Sequence, residues 1–287
     1  MARCGESGGA GMCADHGSRP RTVLSQGSFL HLPTGKFVSA AAEAGFDAVT
    51  LWRHAPTFGD AGDAAAAARA AGIRVEAVCR GGYVTAAGKK ETLRALADAA
   101  VLGASQMVVI AGPPSPGDPR AAAADLSRAL EQVLPAAERA GIALALEPFH
   151  PMFAADRSWL VTLGQAVDIA DAFDSPFLGI TVDSYHLWWD PALATGLHRA
   201  GDRITGVQIA DWTTPGGDVL PSRGMPGEGV IPLREFLRLV TTAGYTGPVE
   251  IEVLSDRFRA LPPLDAARAL KTALDRTTAD VMEGSQA

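Results

Sequence analysis

Short apolar and β-branched runs alternate along the chain with longer stretches rich in Ala and Leu. Eight of the short runs read as strands: 22–29, 47–52, 73–79, 106–112, 142–148, 178–183, 204–211 and 249–254. The stretches between them, among them KFVSAAAEAG, DAAAAARAAG, KKETLRALADAAVLG and PRAAAADLSRALEQVLPAAERAG, read as helices. Several close on a glycine just before the next strand, at Gly45, Gly72, Gly103 and Gly141, where a helix end adopts the left-handed conformation. This is the βαβ rhythm of a parallel sheet. Eight such units, with strands that read as apolar rather than alternating, predict a single-domain (β/α)8 TIM barrel over residues 22–276. A doubly wound open sheet is the competing arrangement. It is disfavoured because the first βα turn lacks G-x-G-x-x-G and no composition break divides the chain. Residues 1–21, rich in Gly and small polar residues, and residues 277–287 read as tails.

Composition narrows the class. The chain has 287 residues, 47% hydrophobic and 20% charged, an ordinary globular balance whose length suits one barrel of about 250 residues. Its apolar runs fall short of the roughly 20 residues that span a membrane. The net charge of -7 argues against a nucleic-acid partner, since phosphate binding rests on clustered Lys and Arg. Cys4, Cys13 and Cys79 are odd in number and lack metal-type spacing, which suits a reducing cytoplasm. The expected partner is a small carbohydrate-like molecule, with no nucleic acid and no membrane; a homo-oligomer is allowed.

In a barrel the C-terminal strand ends converge on one face, which carries the active site. Strand five ends in Glu147 and strand six in Asp183; strand seven carries Gln208 and Asp211, and strand eight Glu252. The steps from Glu147 to Asp183, Gln208 and Glu252 are 36, 25 and 44 residues, lengths that one βα unit can fill. Any one of these carboxylates alone reads as a helix cap or a surface ion pair. Four oxygen donors at four successive strand ends read as a site, because unpaired buried carboxylates are costly and a divalent cation relieves them. All-oxygen ligation favours Mn²⁺ or Mg²⁺, with Co²⁺ or Zn²⁺ also accommodated. Gln208 reads equally as a core amide, and Asp211 as the N-cap of the following turn.

Around these residues stand candidates for substrate contact. His186, three residues after Asp183, sits over the mouth as a proton donor or substrate partner, or as a structural histidine. His150 holds the equivalent place after Glu147, between two prolines, while His16 and His198 read as uninvolved. Arg223, in the loop SRGMPGEGVIPL, suits a substrate oxygen or anion. Trp52, Tyr83, Trp188, Trp189 and Trp212 gather near strand ends, and Trp188 is a candidate for the face of a sugar-like substrate.

The stretches LALEP, GITVDSYHL, GVQIADW, RGMPGEGVIPL and VEIEV, in that order between Val23 and Thr272, resemble the xylose isomerase-like barrel family of sugar phosphate isomerases and epimerases. The resemblance implies four metal ligands, Glu147, Asp183, Gln208 and Glu252, with Glu147 and Glu252 doubling as the acid/base pair. It implies substrate contact by His186 and Arg223. Many epimerases of the family carry His where this chain has Gln208, whose amide oxygen still suits a hard cation. The expected activity is isomerisation or epimerisation of a ketose, inosose or related polyol. One Glu removes a proton next to a carbonyl, and the cation offsets the enediolate charge. A lyase or dehydratase on a keto-sugar or keto-sugar conjugate shares the first half-reaction, and a non-catalytic binding barrel is the third reading.

Overall fold

The computed structural model describes residues 20–114, 121–214, 219, 221, 223–279 and 281. The expected N-terminal tail therefore lies outside the described residues, apart from Pro20 and Arg21. Eight parallel strands close into a barrel: β1 (Thr22–Ser25), β2 (Ala48–Trp52), β3 (Arg74–Cys79), β4 (Gln106–Val109), β5 (Ala143–Leu146), β6 (Leu178–Asp183), β7 (Ile204–Ile209) and β10 (Val249–Ile251). β10 closes the barrel on β1, with Val23 opposite Glu250. Two further short strands, β8 (Asp211–Trp212) and β9 (Arg223–Gly224), form an antiparallel pair above the mouth.

The helices are α1 (Thr34–Glu43), α2 (Ala61–Ala70), α3 (Lys89–Leu102), α4 (Ala121–Ala140), α5 (Leu163–Phe173), α6 (Ser184–Leu187), α7 (Leu193–Ala200), α8 (Leu233–Thr242) and α9 (Pro263–Thr278). Local chemistry sets their ends. Asp60 caps α2 through the N–H groups of Gly62 and Asp63, and Thr162 with Gln165 forms a capping box on α5. Gly45, Gly72, Gly103 and Gly141 all have positive φ, as their places at helix ends demand. α9 continues two residues past the expected end of the barrel at 276, and Thr277 and Thr278 are buried on it. Among the described residues, no helix is long and apolar enough to cross a membrane.

The strands are shorter than their apolar runs. Residues 26–29, read as the end of the first strand, form a 3-10 turn that Ser25 caps by accepting from Gly27 N–H. The runs 106–112, 142–148, 204–211 and 249–254 likewise leave the barrel sheet early, at Val109, Leu146, Ile209 and Ile251.

The outward strand residues Leu24, Val49, Leu144, Ile180, Val207 and Ile251 are fully or almost fully buried under the helices. The inward positions correct the expectation of uniformly apolar strands. Ser25, Thr50, Gln106, Thr181, Gln208 and Glu250 are buried and polar, and Gly206 leaves room for Gln106, whose Nε2 would lie 3.2 Å from an added Cβ. One strand parity is apolar for the helices, while the other carries polar groups on β1, β2, β4, β6, β7 and β10.

Candidate functional site

The barrel register sets the predicted oxygen donors on neighbouring strand ends. Asp183 ends β6 and lies opposite Gln208 on β7, which lies opposite Glu250 on β10. Glu147 and Glu252 each follow their strand by one residue. Their N–H groups extend the ladders, to Val109 O at 3.1 Å and to Ile209 O at 3.0 Å. All four donors are buried, with exposures of 4% for Glu147, 0% for Asp183, 2% for Gln208 and 3% for Glu252.

Asp183 divides its oxygens between two tasks. Oδ1 accepts from Tyr185 N–H at 2.8 Å and so starts α6; Oδ2 accepts from Arg223 Nη1 at 3.1 Å. The same Arg223 nitrogen donates to Glu252 Oε2 at 3.0 Å. The other Glu252 oxygen accepts from Ser25 Oγ at 2.9 Å, and Ser25 in turn accepts from Trp52 Nε1 at 3.1 Å. Arg223 reaches the centre because β9 folds back against β8. Its guanidinium also lies over the Tyr185 ring, 4.3 Å from the centroid.

Asp211 holds this fold-back. Oδ1 accepts from Trp212 N–H and Ile231 N–H, and Oδ2 from Gly227 N–H at 2.9 Å. Two of these donors lie 16 and 20 residues on, so Asp211 anchors a distant loop segment rather than capping only the turn that follows it.

His186 is buried beneath a stacked Phe149 ring, 4.3 Å between centroids, with Phe153 edge-on at 5.7 Å. Its Nδ1 accepts from His150 N–H at 3.2 Å. Burial, then the Arg223 charge, holds its pKa well below the ordinary value, so the ring is neutral. A neutral ring whose Nδ1 accepts carries its proton on Nε2. That nitrogen stands 3.7 Å from Asp183 Oδ2 and 3.9 Å from Glu147 Oε1, with the donor Arg223 Nη2 nearer at 3.3 Å. His150 thus serves the site through its backbone, while its ring lies against Trp212 and Trp189. Trp188 packs on Trp212, 6.0 Å between centroids, and its Nε1 is buried without a hydrogen-bond partner.

Burial raises the Glu147 pKa well above the usual carboxylate range, aided by the charges of Glu252 and Asp183. Burial pushes Asp183 up to about 6 against the opposing pull of Arg223. These acids repel one another in a low-dielectric interior. Ligand-type atoms of Glu147, Asp183 and His186 lie within 4.8 Å of one another, and Gln208 Oε1 is buried with no hydrogen-bond partner. Crowded carboxylates beside an unclaimed amide oxygen fit a hard divalent cation. His186 belongs to that cluster of possible ligand atoms together with the two acids.

Several neighbours escaped the sequence reading as site residues. Ser25, Thr50 and Cys79 line the same interior, and burial followed by the charges of Glu252 and Glu147 keeps the Cys79 thiol well above its usual range. Glu250 accepts from Thr50 Oγ1 at 2.7 Å. Its signal was present in VEIEV, where two glutamates two apart share one face of a strand.

An eight-stranded parallel barrel with carboxylates gathered at its C-terminal mouth defines a TIM-barrel protein with a metal-type acidic site. Residues 38–277 match the family model described as xylose isomerase-like TIM barrel, and the chain belongs to that family. It is 35% identical over 121 residues to a 3-dehydroshikimate dehydratase of Pseudomonas putida, a stretch covering 39% of this chain and 19% of that enzyme. It is 28% identical over 151 residues to an inosose isomerase of Halalkalibacterium halodurans, covering 48% of this chain and 47% of the isomerase. The chain thus matches less than half the length of these curated relatives. Among solved structures, protein SMc04130 of Sinorhizobium meliloti 1021 superposes with a TM-score of 0.83 at 34% identity, covering 90% of this chain and 98% of its own. The IOLI protein with a bound zinc atom superposes with a TM-score of 0.78 at 17% identity, covering 91% and 99%, and shares the fold.

Proposed function

We propose that this protein is a divalent-metal-dependent enzyme that removes a proton next to the carbonyl of a polyhydroxylated ketone. The observation that carries the reading is the convergence of Glu147, Asp183 and Glu252 at one buried mouth, with pKa values of Glu147 and Asp183 raised. Glu147, Asp183, Gln208 and Glu252 would hold the cation, whose charge would lower the cost of an enolate on the substrate oxygen. Mn²⁺ or Mg²⁺ suits this oxygen set best.

The protein groups divide the remaining work. Glu252, held by Ser25 and Arg223, is placed to accept the C–H proton. Glu147, on the other side of the mouth and with a raised pKa, is placed to carry the second proton. His186 Nε2–H and Arg223 offer hydrogen bonds to substrate hydroxyls. Phe149, Phe153 and the indoles at the mouth limit the access of water.

Two outcomes follow from one enolate. Return of a proton to carbon gives isomerisation or epimerisation, the reading the site residues first suggest. Proton transfer from an acid to a β-hydroxyl, with cleavage of that C–O bond, releases water. The higher identity to the dehydratase favours elimination on a cyclic ketone.

The test is to incubate the Mn²⁺-loaded protein with 3-dehydroshikimate and with an inosose in D₂O. Loss of water is read by product absorbance, and enolisation by deuterium in the recovered ketone. Glu252→Gln is expected to lower both signals by about 10²–10⁴. Bound metal with neither signal would overturn the reading.

A further inference from the structure

Arg157 lies in the segment between β5 and α5, and the chemistry above makes no use of it. Its Nε is buried and has no hydrogen-bond partner. Its ion-pair neighbour is the exposed Asp156, with Oδ2 3.9 Å from Nε, too long for a hydrogen bond. Of the other arginines near the mouth, Arg53 pairs with Glu91 and Asp98, Arg223 pairs with Asp183 and Glu252, and Arg80 lies over the Tyr83 ring, 5.1 Å from its centroid. A partly buried guanidinium without a matched acid is costly unless an anion arrives to meet it.

Its position links it to the site. Cζ lies 5.5 Å from the centroid of Phe153, the ring that meets His186 edge-on at 5.7 Å. The Arg157 charge also contributes to keeping His186 neutral. The backbone is fixed there, with Arg157 N–H donating to Phe153 O at 2.9 Å and Ser158 bridging to Gly112. The side chain is 33% exposed, so part of it is within reach of solvent and of a ligand.

We propose that Arg157 binds a carboxylate carried by the substrate, so that the substrate is a ring ketone bearing a carboxylate rather than a neutral sugar. The proposal rests on the function argued above and sharpens it. The planar fork of arginine matches a carboxylate through two parallel hydrogen bonds, and the Phe153 ring beneath the guanidinium, 5.5 Å from Cζ, supports its plane.

The experiment compares two matched probes by calorimetric titration of the full chain loaded with Mn²⁺: 3,4-dihydroxybenzoate and 1,2-dihydroxybenzene, which differ by the carboxylate. Wild type is expected to bind the benzoate at least about tenfold more tightly. Arg157→Gln should lose that preference without changing the affinity for 1,2-dihydroxybenzene. Arg157→Lys should restore part of it, keeping charge but not the fork. Arg128→Gln, on exposed α4, should match wild type. A preference that survives in Arg157→Gln, or an equal loss for both probes, would overturn the anchor and leave the metal site standing. Inorganic phosphate binding more tightly than the benzoate would overturn the carboxylate assignment. Failure of both probes to bind wild type would overturn the anchor and the function together.

Discussion

Arg223 Nη1 lies 3.1 Å from Asp183 Oδ2 and 3.0 Å from Glu252 Oε2, so a guanidinium holds the place between two acids of the site. Its Nη2 also stands 3.3 Å from His186 Nε2, where a proton on the ring makes donor face donor, and its Nε is buried without a partner. Arg223 is therefore an imperfectly satisfied cation in a pocket that suits a better one.

Competition between the two cations gives the first prediction. Arg223→Gln is expected to bind Mn²⁺ as tightly as wild type or up to about tenfold more tightly, because the acids no longer have a resident partner. Turnover should fall by about 10²-fold or more, as the substrate loses a charged hydrogen bond. Free Mn²⁺ measured by electron paramagnetic resonance checks the binding; weaker binding by the variant would contradict the displacement.

Ser25 fixes the direction of Glu252 by donating to Oε1 while accepting from Trp52. Ser25→Ala should lower kcat by about tenfold with KM nearly unchanged, since one hydrogen bond of about 1–1.5 kcal/mol is lost from the base and not from the substrate. Steady-state kinetics would show a KM effect instead if Ser25 touched the substrate.

The pH dependence of stability follows from the raised carboxyls. Burial, then the Glu252 charge, raises Glu250 from 4.5 to about 8, and Asp183 rises from 3.8 to about 6. The native state binds these protons more tightly than the unfolded chain. The stabilisation is therefore full below the unfolded values and is lost as pH rises through about 6 and about 8. His186 acts with the opposite sign, because its lowered pKa costs stability as pH falls below 6.5. Thermal melting of the metal-free protein should decline from about pH 4 to about pH 9, most clearly above pH 6.5 where His186 no longer opposes it, by about 2–4 °C per kcal/mol. Glu250→Gln should flatten the upper part of that decline, and Mn²⁺ should raise the melting temperature more at high pH than at low.

Asp211 accepts three backbone N–H groups of the segment that delivers Arg223. Asp211→Ala should lower the melting temperature by several degrees, with hydrogen bonds to a charged group worth about 1.5–3 kcal/mol each. It should reduce kcat/KM by at least about tenfold. Hydrogen exchange should show residues 224–231 losing protection while β6 and β7 keep theirs; uniform loss would assign Asp211 to global stability alone.

The barrel is legible in the chain alone because its signals are local: eight apolar or β-branched runs alternate with Ala- and Leu-rich helices, four of which close on a cap glycine. The sequence also placed Glu147, Asp183, Gln208 and Glu252 at successive strand ends, since parallel βα units point their C-terminal ends one way. The rest depended on closure. Ser25 and Glu252 are 227 residues apart, and nothing short of the β1–β10 register makes them partners. Gln106, Thr181 and Glu250 read as interruptions of apolar runs until closure turns their shared parity inward. The surroundings of His186 and Arg223 depend on two loop features: the His150 N–H that His186 Nδ1 accepts, and the β8–β9 pair that carries a guanidinium into the acids. Loops take their paths from contacts with several strands at once, and those contacts are set by tertiary structure rather than by local sequence.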